Sequence, residues 1–155
     1  MIEKIFHKKK LLALIVRKKF RKISGVNFFT DDNDNQQFGY MKHRKNYIIK
    51  PHQHNKRLTK ISMTTEVILI FKGILRVDFY DNYKKYLFSK KVYANDIIML
   101  VNGGHGFKVL KDIEMLEVKQ GPYNLSKDKI KFNKIEEKKL KLEYKVKKRK
   151  FFEIT

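Results

Sequence analysis

Short segments rich in Ile, Val, Phe and Tyr recur along the chain, separated by turns that rely on Asn, Asp and Gly. β-Branched and aromatic runs of this length, bounded by turn residues, are typical of strands. Their regular spacing, with no helical period between them, indicates an all-β sandwich or barrel. The predicted strands cover residues 11–16, 47–50, 66–71, 75–80, 86–92, 97–101, 107–110 and 113–119.

The C-terminal part of the chain departs from this pattern. Residues 127–150 mix isolated aliphatic side chains with dense charge, and only 135–141 has Glu and Lys spaced as in a short helix. We therefore expect a basic, partly ordered tail. The length suits one domain, which we divide into a basic N-terminal segment with the first strand (1–22), a β-barrel (23–123) and the tail (124–155).

The formal charge of +21 changes this picture less than its size suggests. Residues 1–22 carry nine Lys and Arg against one acid, and residues 124–155 carry twelve against five. Lys outnumbers Arg 31 to 6, whereas phosphate and groove recognition favours the forked guanidinium of Arg. Abundant Lys, Ile and Asn together indicate A- and T-rich coding, and no nucleic-acid-binding signature accompanies them. We expect no specific nucleic-acid partner, and a basic nucleic-acid or membrane-surface protein remains an alternative.

Composition also limits the chemistry and the compartment. The chain has no cysteine, so His and carboxylates are its only strong metal ligands. No run of about 18 uncharged apolar residues occurs, so we expect no transmembrane segment. The apolar run at 11–16 is shorter than a signal-peptide core, and we expect a cytoplasmic protein.

Three separate pieces of the chain carry side chains suited to metal binding or acid–base chemistry. His52 and His54 follow the predicted strand 47–50, and alternate residues of an extended chain share one face. Glu66 begins the most apolar strand, where a carboxylate is costly unless it is paired, protonated or bound to a cation. His105 follows a double-glycine turn, in which the backbone can approach a ligand closely. Each piece alone also fits an ordinary surface position.

Taken together, the pieces resemble the two motifs of the cupin superfamily. The first motif is a Gly, then His-x-His, then a Glu followed by six residues and a Gly. The second is Gly-Asp, a short apolar strand, Pro-x-Gly and a His, and in this chain Asn95-Asp96 and residues 102–104 stand at the Gly-Asp and Pro-x-Gly positions. The matching residues are His52, His54, Glu66, Gly73, Asp96, Gly104 and His105. The resemblance spans roughly residues 36–121 and implies a small double-sheet, jelly-roll-like β-barrel. Eleven residues separate the second His from the Glu, which implies an enlarged hairpin at 55–65.

The resemblance also implies one divalent metal ion inside the barrel. Imidazoles and a carboxylate suit Fe, Mn, Ni, Zn or Cu, and affinity alone does not choose among them. The implied ligands are His52, His54, Glu66 and His105. Since no motif residue lies in 1–22 or 124–155, we expect both basic ends to be dispensable for the fold and for small-molecule binding.

Four further segments resemble a narrower cupin subgroup that is associated with surface-polysaccharide and nucleotide-sugar genes. They are residues 36–40, 77–81, 104–107 and 117–123. We therefore expect isomerase- or epimerase-like chemistry on a sugar or a small hydroxy-carbonyl metabolite. The candidate acid–base residues are Glu117, Lys119 and Tyr123.

Other interpretations stay open. Glu117 and Lys119 also suit the exposed face of a strand whose Leu116 and Val118 point inward. A non-catalytic cupin that binds a sugar or metabolite as a sensor or partner is the alternative to an enzyme. Cupins commonly pair through sheet edges, so the resemblance implies a homodimer.

Overall fold

A computed structural model of the chain describes residues 1–20, 24–124 and 128–143. These ranges contain strands and one 3-10 turn but no α-helix, which confirms the all-β prediction. No helix in them is long and apolar enough to cross a membrane. The elements are β1 (Ile2–His7), β2 (Lys10–Val16), β3 (Gly25–Phe28), β4 (Gly39–Lys42), β5 (Glu66–Tyr80), β6 (Tyr86–Tyr93), β7 (Ile97–Leu100), β8 (Gly104–Lys119) and the 3-10 turn η1 (Glu137–Lys139).

The strands form one large antiparallel sheet and one small one. The large sheet has the order β1-β2-β7-β5-β6 and is curled into a half-barrel. β8 pairs with β5 over nearly its whole length, on the edge opposite β6 and β7. The small sheet is the hairpin of β3 and β4.

β5 and β8 are longer than the sequence suggested. We expected a turn at Gly73 between two strands, but Gly73 lies inside the single strand β5. It has φ +91°, and the pairing of β5 with β8 shifts register on both sides of it. A Cβ at this position would lie 2.1 Å from the carbonyl oxygen of Asp112. Gly73 therefore does not end the strand. It lets the two-stranded ribbon formed by β5 and β8 bend while the two backbones approach closely.

Alternation along β5 places apolar side chains on both faces of the sheet. Ile68 and Ile70 belong to the larger core cluster, together with Val77 of the second half of the strand. Val67 belongs to a second cluster on the other face. The second cluster also contains Phe29, which lies next to β3, so the small hairpin covers this face of the large sheet.

The N-terminal segment is part of the sheet, so our expectation that it is dispensable was wrong. β1 pairs with β2, and β2 pairs with β7 in the middle of the sheet. Ile5 and Leu12 are buried in the larger core cluster. Arg17 also joins the segment to the rest of the sheet, because its guanidinium contacts Glu3 of β1 at 2.6 Å and Asp96, next to β7, at 2.9 Å.

The described part of the tail, residues 128–143, packs against the outside of the half-barrel. Glu137 contacts the buried Arg76 at 2.8 Å and Lys108 at 2.7 Å. The hydrogen bonds from Lys108, which has the larger effect, and from Arg76 lower the pKa of Glu137 to about 2. The ring of Phe132 lies edge-on to Tyr80, with the ring centroids 4.9 Å apart. Charge and aromatic packing thus hold this segment, and η1 is shorter than the helix expected at 135–141.

Between β4 and β5 the chain has no helix or strand, which contradicts two expectations. Residues 47–50 are not a strand, and residues 55–65 are not a hairpin, because neither finds a strand partner. All residues from 44 to 64 are exposed. We call this segment, residues 44–64, the basic arm.

Candidate functional site

His105 owes its position to a tight turn between β7 and β8. Gly103 has φ +77°, and a Cβ there would lie 2.5 Å from the carbonyl oxygen of Tyr80. Only glycine fits such a turn without strain. β8 then begins at Gly104, and His105 is the register partner of Phe79 on β5. Because directly opposite residues share a face, His105 lies on the face of the larger core cluster.

Glu66 lies at the opposite end of β5 but on the same face, since it alternates in phase with Ile68 and Ile70. It is paired on one side with Leu100 of β7 and on the other with Lys119 of β8. Strands on both sides therefore fix the backbone of Glu66.

The bend of the ribbon brings these two distant positions into contact. Glu66 Oε2 lies 3.1 Å from His105 Nε2, and the side chains are 13% and 29% exposed. The pair is sheltered yet reachable from solvent. The hydrogen bond from His105 lowers the pKa of Glu66, while burial opposes the shift and Lys119 adds to it. Glu66 is thus held as a carboxylate that accepts from the imidazole.

The expected acid–base residues of β8 lie beside this pair with different surroundings. Glu117 is the register partner of Ile68, so it shares the face of Glu66, and it is exposed. Lys119 contacts Asp128 at 2.5 Å, and the hydrogen bond from this contact raises the pKa of Lys119. The ammonium also lies 4.8 Å from the ring centroid of Tyr123. Lys119 therefore contacts both Tyr123 and Asp128, a tail residue outside any motif.

His52 and His54 lie apart from this site, on the exposed basic arm. Their ring centroids are 5.3 Å apart and edge-on, and His52 Nδ1 lies 3.0 Å from the carbonyl oxygen of Lys50. Across residues 1–20, 24–124 and 128–143, no group of three or more His, Asp or Glu side chains is placed to hold a metal ion. The structure brings together two of the four expected ligands, and the side chains as placed do not fit a metal centre.

A cleft of about 150 Å³ opens near the start of β5, but it does not contain the pair. Met99 lines it, and Met99 is the register partner of Val67, whose side chain faces away from Glu66. The cleft thus lies on the opposite face of the sheet. The other lining residues are Asp34, Asn35, Gln36, Ser62, Met63, Thr65, Val101 and Asn102.

Two residues near the pair were not selected from the sequence. Phe107 lies two positions after His105, with the ring centroids 5.2 Å apart, and strand alternation could have identified it. Asp128 had no such signal, since nothing local in the tail indicates its contact with β8.

No protein-family model matches this chain, and neither a curated protein nor a solved structure does. The functional argument therefore rests on the half-barrel, on the contact between Glu66 and His105, and on the residue pattern that resembles the cupin motifs.

Proposed function

We propose that this protein binds a sugar or a small hydroxy-carbonyl metabolite beside Glu66 and His105, and that it isomerises or epimerises this ligand by proton transfer. The observation that carries the proposal is the 3.1 Å contact between the carboxylate and the imidazole. A carboxylate that accepts from one ring nitrogen fixes the orientation of the imidazole and leaves the other nitrogen to exchange protons with a ligand.

His105 is the proposed catalytic residue, and Glu66 is a positioning residue. With Nε2–H donating to Glu66, Nδ1 is the ring atom that accepts a proton. The proton leaves a carbon next to the ligand carbonyl. The electron pair of the broken C–H bond forms a C=C bond, and the carbonyl oxygen becomes an enediolate. In isomerisation Nδ1 returns the proton to the former carbonyl carbon, and the proton of the neighbouring hydroxyl passes to the other oxygen. In epimerisation solvent supplies a proton to the opposite face of the same carbon, and the imidazolium releases its proton to solvent. Atoms and electrons balance, so the reaction needs no further reactant.

The face around the pair supports a ligand that has both polar and apolar sides. Phe107 and Met115 are partly exposed, and the register places both on the His105 face of β8. Glu117 shares this face and is within the same strand. Small-molecule sites commonly combine apolar and aromatic walls with a few fixed polar groups. In the proposed complex, the sugar ring lies over Phe107 and its hydroxyl groups meet Glu117.

The finer cupin features stay proposals beside this one. A cupin-type barrel would require the half-barrel to close, and a metal site would require the basic arm to bring His52 and His54 to Glu66. No step above uses a metal. The function is also consistent with polysaccharide or nucleotide-sugar metabolism, which rests on the resemblance alone.

A homodimer is proposed through the outer edge of β8. Within the described residues this edge has no strand partner, and Leu116 and Val118 beside it are exposed. A long unpaired edge strand is a template for pairing with another chain. Light scattering after size-exclusion chromatography is expected to give the dimer mass, and a monomer at micromolar concentration would refute it.

The test of the proposed function is a panel of nucleotide sugars and free keto sugars in D₂O, followed by NMR. Turnover is expected to exchange the hydrogen next to the carbonyl with solvent and to form an isomer. His105→Asn is expected to abolish exchange but to retain most ligand binding. Glu66→Gln is expected to lower the rate about 10- to 100-fold, since it loosens the imidazole that exchanges the proton.

His7→Asn is the matched control, because His7 lies at the end of β1 and outside the pair. It is expected to behave as the wild type. Binding without exchange in the wild type would favour the sensor or partner role over the enzyme. No binding of any panel member, or equal activity in the wild type and His105→Asn, would overturn the proposal.

A further inference from the structure

The basic arm, residues 44–64, is unusual in both conformation and composition. It has 21 consecutive exposed residues without a helix or strand. Connections of this length without structure of their own are uncommon in compact domains, and they are usually functional or linkers. The arm contains six Lys and Arg and no Asp or Glu. The proposed function uses none of its residues.

The arm also exposes large aliphatic side chains to solvent. Ile48 is 79% exposed, Ile49 is 56% exposed and Leu58 is fully exposed at 106%. Ile61 and Met63 are about half exposed. Single exposed apolar residues need no explanation, but a group of them in one segment marks an interaction surface. The cations sit between these side chains along the sequence, at 44–45, 50, 56–57 and 60.

We propose that the basic arm docks on the surface of an anionic lipid bilayer. Clusters of four to eight Lys and Arg bind acidic headgroups, and each cation near the surface strengthens binding about 5-fold. Aliphatic side chains between the cations insert below the headgroups, where their burial adds to the electrostatic attraction. Charge complementarity identifies the partner, because the arm has no acidic group that would be repelled by such a surface.

The kind of apolar residue favours lipid over nucleic acid. Proteins that bind single-stranded nucleic acids stack the bases on aromatic side chains. The arm has one aromatic residue, Tyr47, and this ring is already stacked on His43 with the centroids 4.2 Å apart. Four of the six cations are Lys, which forms point contacts rather than the forked contacts of Arg. The exposed aliphatic side chains have no role on a phosphate backbone.

The experiment measures co-sedimentation of the full chain with two kinds of vesicle. One contains phosphatidylcholine alone, and the other contains about 30% phosphatidylserine, a lipid that gives the surface its negative potential. Wild-type protein is expected to sediment with the anionic vesicles only. The triple variant Ile48→Ser, Ile49→Ser and Leu58→Ser is expected to lose at least 10-fold in affinity without change in its circular dichroism spectrum, since all three side chains are exposed.

Two charge variants separate the arm from the overall charge of the protein. Lys56→Gln with Arg57→Gln removes two cations from the arm, and Lys84→Gln with Lys85→Gln removes two exposed cations from the turn before β6. The arm variant is expected to bind about 25-fold more weakly than the turn variant, because each cation at the surface contributes about 5-fold. Equal losses in both, or no loss in the triple Ser variant, would overturn the proposal and assign any binding to overall charge.

A competing partner is tested in the same series. A mixed-sequence single-stranded oligonucleotide of about 20 nucleotides is titrated against the wild type and the triple Ser variant at physiological salt. The proposal expects weak binding that is equal in both proteins. Tight oligonucleotide binding, together with absent vesicle binding, would replace the lipid surface with a nucleic acid.

Discussion

The same motif resemblance singled out two pairs of residues that the structure places differently. Glu66 and His105 lie in contact, whereas His52 and His54 lie apart from them. The first two lie on paired strands and contact each other at 3.1 Å. The second two lie on the basic arm, which pairs with no strand. The difference is in the long-range pairing of the backbone, and it is not visible in the residue types.

The composition of each segment decides whether it packs against the rest of the protein or stays exposed. β5 presents alternating apolar residues to two clusters, so its register is fixed on both faces. The basic arm has aliphatic residues without alternation, many cations and no acid. The docked tail shows the contrast, because Glu137 and Asp128 there find Arg76 and Lys119. The tail packs on this cationic protein because it supplies acidic and aromatic side chains as anchors, and the basic arm supplies no acidic ones.

The largest expected effect is on the bend in the β5–β8 ribbon, which brings Glu66 and His105 into contact. We call these two residues the paired half of the predicted site, and His52 and His54 the unpaired half. Gly73→Ala places a Cβ 2.1 Å from the backbone oxygen of Asp112 at φ +91°. The ribbon must then shift, and we expect a loss of about 3 kcal/mol or more in the free energy of unfolding. Urea unfolding followed by circular dichroism measures it.

Gly25→Ala is the control, because Gly25 has φ +107° but, apart from its chain neighbours, no atom of the residues that the structure describes lies within 4 Å of the position that its Cβ would take. Its backbone strain alone is expected to cost about 1–2 kcal/mol. The difference between the two variants therefore measures the close approach of β5 and β8. Equal losses in the two variants would show that the close approach of the backbones at Gly73 adds no cost beyond backbone strain.

The sequence was sufficient for the parts of the fold that depend on local pattern. β2, β6 and β7 were predicted within about two residues, because each is a short apolar run between turn signals. β1, β3 and β4 were missed, since their apolar residues are interrupted by charge or are few. These strands are determined by their partners in the sheet, which no local pattern reports.

The candidate site was predictable only in half. The signals for Glu66 and His105 were a carboxylate at the head of the most apolar strand and a His after a Gly-Gly turn, and the structure brings these two side chains into contact. The signal for His52 and His54 was spacing on an assumed strand, and that strand did not form because residues 47–50 have no partner. The metal predicted from all four residues stays a prediction.

A smaller effect is expected at the paired half from Glu66→Gln. The folded-state pKa of Glu66 is lowered by His105, so its stabilisation is complete above the unfolded pKa and is lost as pH falls through the folded value. At pH 7 the variant is expected to be about 1 kcal/mol less stable. This difference should shrink when urea unfolding is repeated at steps from pH 5 downward.

The exposed ion pair between Lys72 and Glu114 supplies the control for this measurement. Its side chains are 64% and 67% exposed, and such pairs contribute little because solvent screens them. Glu114→Gln is expected to leave stability unchanged at every pH. A pH-independent loss in Glu66→Gln would instead assign the effect to packing, and the contact with His105 would carry no charge.

The smallest expected effect is on the two exposed histidines of the basic arm, His52 and His54. His52→Ala with His54→Ala is expected to leave the free energy of unfolding within about 0.5 kcal/mol of the wild type, because both rings are exposed.

Adding Mn²⁺, Ni²⁺ or Zn²⁺ then separates two arrangements of the arm. A ligand that binds only the folded state raises the melting temperature with its concentration. If the arm stays apart from the paired half, wild type and variant should melt together at every metal concentration. A metal-dependent rise in the wild type that the variant lacks would mean that the arm carries His52 and His54 to Glu66 and His105. The four-ligand site predicted from the sequence would then replace the separated halves.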